Sequence, residues 1–322
     1  MCKMTEVSEM TKHRYIMTLL VSITLGGVGP VGCDRPEPPP AQKAGATDEV
    51  AAAPDADAQT PRVVTIGGTI TEIAFALGAG EQIVAADKSS VYPEEVKKIA
   101  VLDLFRNIAA EPIIAQDPTL ILATDQTNPK DALARVKGAG VDVVEISEDP
   151  GVDQARQRIR DIADVLGRAQ QADALIAKMD QDLEAASQKV SACNKPARTL
   201  FVYARGPNTV FVAGRDTGAR ALVELAGGEP VHGDFSDFKP MSAEAIVAAN
   251  PDAILMTDGG LRSLGGLEGL QRVKGLGETA AVKNKRVITR EDLALLGFGP
   301  RLGQVVLELT DDLCLDAAPS DE

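Results

Sequence analysis

The sequence predicts an α/β protein: two related, Rossmann-like lobes with parallel-rich sheets, joined by a long interdomain helix. Three observations lead there. Short apolar runs alternate with helix-period segments along most of the chain. The segment 109–125 recurs at 242–258 without a gap. Between the two copies, residues 151–191 carry apolar side chains at helical spacing.

Taken in order, residues 1–32 read as a signal segment. Lys12, His13 and Arg14 form a short basic region, and the apolar stretch Ile16–Val31 is too short for a membrane span. Glu6 and Glu9 sit badly in such a region, which makes Met10 a candidate start. Val31-Gly32-Cys33 resembles a bacterial lipobox, so Cys33 is the expected lipidation site; plain secretion with cleavage nearby is the alternative. Asp34 then resembles a signal for retention at the inner membrane. Residues 33–61, rich in Pro, Ala and Asp without apolar periodicity, read as a disordered tether.

An N-terminal lobe is expected over 62–147. Val63–Ile66 is a buried strand stopped by Gly67-Gly68, and a helix runs from Thr69 to the stop at Gly78. Ile83–Ala86, Leu120–Ala123 and Val141–Ile146 are further strands, separated by helices near 108–116 and 129–139. The interlobe helix is placed at 148–192, with Gly167 kinking or dividing it. Undivided, about 40 residues at 1.5 Å each would reach about 60 Å, along both lobes. The C-terminal lobe, 193–322, has strands at Leu200–Tyr203, Val210–Val212, Ala253–Met256 and Arg286–Ile288, and a closing helix near 300–314.

In the repeat, Glu111 falls on Glu244, Ile113 on Ile246, Pro118 on Pro251 and Asp125 on Asp258. Each copy reads as a helix stopped before Pro, then a buried strand.

Composition bounds the function. A formal charge of −14 over 322 residues excludes a nucleic-acid partner, whose phosphates need a basic surface. The chain has no Trp, three Tyr and two His, and His232 is the one histidine left after residue 32. A zinc site normally gathers several His or Cys ligands. No GxSxG, GxxxxGK[ST], HExxH or CxxC occurs, so no enzyme chemistry is signalled. Cys193 and Cys314 are either one disulfide or two free thiols. Two lobes with a cleft suit small-molecule capture.

Four stretches carry a family resemblance: RVVTIGGTITEIAFALGAG at 62–80, VAGRDTGARALVELAGG at 212–228, FKPMSAEAIVAANPDAIL at 238–255 and LALLGFGPRL at 293–302. Residues 62–314 resemble the class III periplasmic binding proteins, which have a rigid interlobe helix and serve ABC importers of haem, cobalamin and ferric siderophores. The closest match within them is the hemin-binding component. The resemblance implies a monomeric, lipid-anchored carrier on the periplasmic side of the inner membrane, without a cofactor of its own. Its partners would be a permease and an ATPase. It implies that Glu111 and Glu244 dock on Arg residues of the permease; a helix-start role is the alternative. Hemin-type members carry a Tyr in a G-Y-x-[RK] loop, and Leu104 stands there in this chain. Tyr92 and His232 are therefore the candidate iron ligands, and Arg106 the candidate propionate partner. Their alternatives are a packed loop Tyr, a solvated His and a surface Arg. Tyr203 is expected in the core. A siderophore or cobalamin carrier, an envelope enzyme on a duplicated frame, and a structural lipoprotein are the competing readings.

Overall fold

The computed structural model describes residues 60–231 and 235–316. The expectations for the signal segment, the tether, Cys33 and His232 lie outside the described residues.

The N-terminal half gives β1 (Val63–Ile66), α1 (Gly68–Ala76), β2 (Ile83–Asp87), β3 (Ala100–Leu102), α2 (Ala110–Ile114), β4 (Leu120–Thr124), α3 (Lys130–Gly138) and β5 (Asp142–Ile146). Its strands form one sheet in the order β3-β2-β1-β4-β5, with every pairing parallel. β1 is wholly buried because helices cover both faces, which is why its sequence runs apolar instead of alternating. The strand order reverses between β1 and β4, so Gly67 and Asp125 sit at the switch point where α/β sheets take their ligands.

Then come α4 (Val152–Leu166) and α5 (Ala169–Ala192). The interlobe stretch is divided at Gly167, one of the two outcomes its sequence allowed, into two helices. Gly167 ends α4 at φ 65°, a left-handed cap that glycine takes without a Cβ penalty, and the chain turns before α5 begins.

The C-terminal half contains β6 (Arg198–Ala204), β7 (Val210–Ala213), α6 (Gly218–Leu225), β8 (Glu229–Val231), β9 (Phe238–Lys239), α7 (Ala243–Ala249) and β10 (Ala253–Thr257). It finishes with α8 (Asp258–Leu264), α9 (Gly266–Arg272), α10 (Ala280–Lys283), β11 (Val287–Arg290), α11 (Asp292–Leu296) and α12 (Leu302–Leu313). Its sheet is mixed. β11, β10 and β6 run parallel, and the edge of β6 opposite β10 pairs first with β8, in parallel, and then with β7, antiparallel, to which β9 adds a further antiparallel strand.

The repeat is carried into backbone geometry. Asp117 and Asn250, at equivalent positions, both hold positive φ, 49° and 38°, just before Pro118 and Pro251. Each half has an apolar cluster of its own, one around Ile66, Ile113 and Ile121, the other around Val202, Ile246 and Ile254. A third cluster spans both halves. It joins Ile70 and Ile73 of α1 to Ile159 and Met179 of α4 and α5, and on to Phe201, Leu255 and Leu309. α5 and α12 meet closely at Gly303, where an added Cβ would lie 2.3 Å from the Met179 carbonyl oxygen. A disulfide joins Cys193 to Cys314 at the far ends of those helices, closing the alternative left open by the sequence. Among the described residues no helix is long and apolar enough to cross a membrane.

Candidate functional site

Strands β1, β2 and β3 end together, and one buried carboxylate ties their loops. Asp87 is 1% exposed. It accepts from the Gly67 N–H at 2.9 Å, the Ser89 N–H at 3.2 Å and the Phe105 N–H at 3.0 Å. The Ser89 and Ser90 hydroxyls donate to it as well. A carboxylate accepting this many donors offsets its desolvation and holds the loops in one arrangement. One of those loops carries Tyr92, another Leu104, Phe105 and Arg106. The Arg106 guanidinium lies 5.0 Å from the centre of the Phe105 ring.

The C-terminal half uses the same device. Asp292 accepts from Arg205 at 3.1 Å and from the Gly259 N–H at 2.9 Å, tying the loops after β6, β10 and β11. Arg205 stacks on Tyr203, 4.6 Å from its ring centre. Tyr203 packs against the apolar cluster and the Phe238 ring, as its place on a strand led one to expect, but it is only half-buried, with Arg205 over its ring.

These two edges meet. Thr69, just after β1, donates to the Gly297 carbonyl at 3.2 Å. Arg301 forms a bidentate pair with Glu72 at 2.7 and 2.8 Å and reaches Glu291 at 3.0 Å. Burial raises the Glu72 carboxyl above its ordinary value, and Arg301 offsets only part of that. Burial also opposes the charge on Arg301, but its bonds to Glu72 and Glu291 outweigh this and raise its pKa. Arg158 of α4, 2% exposed, donates to Ser147 O at 2.6 Å and Asp149 O at 2.8 Å on one side. On the other it reaches Gly297 O at 3.3 Å and Phe298 O at 3.0 Å. A single buried guanidinium thus bridges the two halves.

Beside this junction lies a cavity of about 740 Å³, walled by Glu72 and Phe75 of α1, Tyr92, Pro93 and Ile99, Leu175 of α5, and Arg301. The volume suits a small organic ligand. Tyr92 is 42% exposed and its ring lies 3.9 Å from the Arg301 guanidinium carbon. Of the predicted residues, Tyr92 borders this cavity, while Arg106 stands exposed on the neighbouring loop and outside it. Glu111 and Glu244 are exposed in the first turns of α2 and α7, and Glu111 pairs with Arg135 at 3.2 Å.

The sequence reading missed Asp87, Arg158, Asp292 and the Arg301–Glu72 pair. For Arg158 a signal existed: it falls on the apolar stripe of Ala155, Ile159 and Ile162, where a charge must be satisfied internally.

Glu148 lies at the switch point, hydrogen-bonded to Thr124 and near Arg158. Burial raises its pKa, and the Arg158 charge only partly counters that. A carboxyl raised on folding stabilises the protein while protonated, and that contribution is lost as pH rises above the ordinary value through the folded one. Glu148→Gln is therefore expected to melt above the parent at pH 7 and nearer to it at pH 4. Thermal melts across that range test this, and a constant difference with pH would contradict it.

The family model described as periplasmic binding protein matches residues 63–292. The chain is a member of that family. The structure resembles the periplasmic heme-binding protein RhuT of Roseiflexus sp. RS-1 in its apo form. The two are 36% identical with a TM-score of 0.76, covering 81% of this chain and all of the other. The ABC transporter substrate-binding lipoprotein YvrC of Bacillus subtilis (strain 168) is 29% identical, over 79% of this chain and 80% of its own length. A vitamin B12-binding protein of Pectobacterium atrosepticum is 27% identical, over 61% of this chain and 71% of its own. These relatives are substrate-binding transport proteins, so this binding protein is a carrier and not an enzyme.

Proposed function

We propose that the protein captures hemin between its lobes and hands it to an ABC importer's permease and ATPase. The observation that carries this is the 36% identity to a heme-binding protein along that protein's whole length. The geometry supports it. The parallel strands of both halves end at a shared junction, an apolar cavity adjoins it, and each half presents an arginine over an aromatic ring. In this reading Tyr92 or His232 ligates the iron, Arg106 pairs with a propionate, and Glu111 and Glu244 dock on the permease. Cys33 carries the lipid that keeps the monomer on the periplasmic side of the inner membrane. The lobes divide at 62–147 and 193–322, with α4 and α5 between them.

Titrating ferric hemin into the purified protein is expected to shift the Soret band and produce a phenolate charge-transfer band. In Tyr92→Phe that band should vanish while the fold survives, because the residue is half exposed. A charge-transfer band unchanged in Tyr92→Phe removes Tyr92 as the ligand. An unshifted Soret band in the parent removes hemin. Cobalamin is the second reading, favoured by the B12-binding relative. The absence of Trp, the strongest stacking side chain for a corrinoid, counts against it.

A further inference from the structure

Two of the exposed aliphatic side chains occupy equivalent places in the repeat. Ile114 of α2 and Val247 of α7 are each 40% exposed. The residues preceding them, Ile113 and Ile246, are buried at 1% and 4% and fix each helix against its own sheet. Three positions before each aliphatic stands an exposed glutamate, Glu111 or Glu244. A spacing of three brings side chains to one helix face, so each half shows the same carboxylate beside the same kind of apolar group. One exposed aliphatic needs no explanation. A matched pair, each beside a matched carboxylate, is a surface presented twice.

We infer that Ile114 and Val247 are the apolar half of a duplicated docking contact for the membrane subunits of an importer. This rests on the docking reading of Glu111 and Glu244. The repeat dictates the form of the partner: it must offer one surface two times, as a pair of like subunits related by an approximate two-fold axis does. Charge dictates the chemistry. Each contact needs a cation for the glutamate, which at Glu111 would compete with its exposed pair to Arg135, and a shallow apolar recess next to it for the aliphatic side chain. An ion pair in open water contributes little, because solvent screens it. An aliphatic group that excludes water from the rim of the pair lowers the local dielectric and strengthens it. The glutamates then set orientation, and the aliphatic residues slow dissociation.

The test measures binding of the full-length, hemin-loaded protein to its cognate permease–ATPase complex in lipid nanodiscs. Ile114→Ala and Val247→Ala are each expected to weaken association roughly fivefold, and the double variant more than about tenfold. Melting point and hemin titration should not change, since both side chains lie at the surface. Wild-type association by the double alanine variant, with association lost in Glu111→Ala/Glu244→Ala, would overturn the inference and leave the docking reading standing. Wild-type association by all of these variants would remove both.

Discussion

Arg158→Met is expected to lower the unfolding midpoint by roughly 10 °C. Methionine fills much of the arginine's volume but donates nothing. Ser147, Asp149, Gly297 and Phe298 would then each lose a donor to a backbone carbonyl at a largely buried junction. Unsatisfied buried acceptors, and the Glu148 carboxyl left without its neighbouring cation, put the cost at about 3–5 kcal/mol. For a chain of this size each kcal/mol moves the midpoint by about 2–4 °C. Arg158→Lys keeps the charge but cannot fork to both halves, so it should recover only part of the loss. Circular-dichroism melts decide the matter, and a methionine variant that melts with the parent would show that the bridge is dispensable.

Reducing the Cys193–Cys314 disulfide should produce a loss of similar size. The bond closes a loop with a sequence separation of 121, spanning nearly the whole C-terminal half. In the chain-entropy account, a loop of that length corresponds to about 5 kcal/mol of restriction on the unfolded chain. The folded state should survive reduction. α5 and α12 still pack together, and Ala197 N–H still meets Leu313 O at 2.8 Å, with Leu315 N–H on Lys195 O at 2.9 Å beside it. The expectation is thus a lower midpoint with an unaltered native spectrum, both in reductant and in Cys193→Ser/Cys314→Ser. An unchanged midpoint in reductant would mean that the bond does not form in solution. Asp316 lies beside the two sulfurs, but a disulfide leaves no thiolate to bind a metal.

Much of the fold was legible because it is local. Buried parallel strands advertise themselves as unbroken apolar runs, and Val63–Ile66 and Ala253–Thr257 are both found where those runs lie. The repeat could be read because Ile113 and Ile246, or Pro118 and Pro251, perform the same packing and stopping tasks twice. The orientation of β7 and β9 was not legible, since an apolar run does not say which way it pairs. The site was harder still. Tyr92, Arg106, Glu111 and Glu244 could be singled out as candidates once the family resemblance was recognised, yet their supports could not. Asp87 works through loops 20 residues behind it and 18 ahead, and Arg301 meets Glu72 across 229 positions. No short-range pattern encodes such partners. Tyr203 was read only in part for a related reason: alternation along a strand locates a side chain's face but not the arginine that comes to lie on it.

The apolar cluster shared by α1, α4, α5 and the C-terminal helices has a consequence for traffic through the protein. Prising the halves apart would wet that oil. At about 25 cal/mol per Å², baring even ~200 Å² costs about 5 kcal/mol. The gaping form would then be populated by about one molecule in a few thousand. In the proposed role, a ligand would therefore enter past the loop tips without the halves swinging apart.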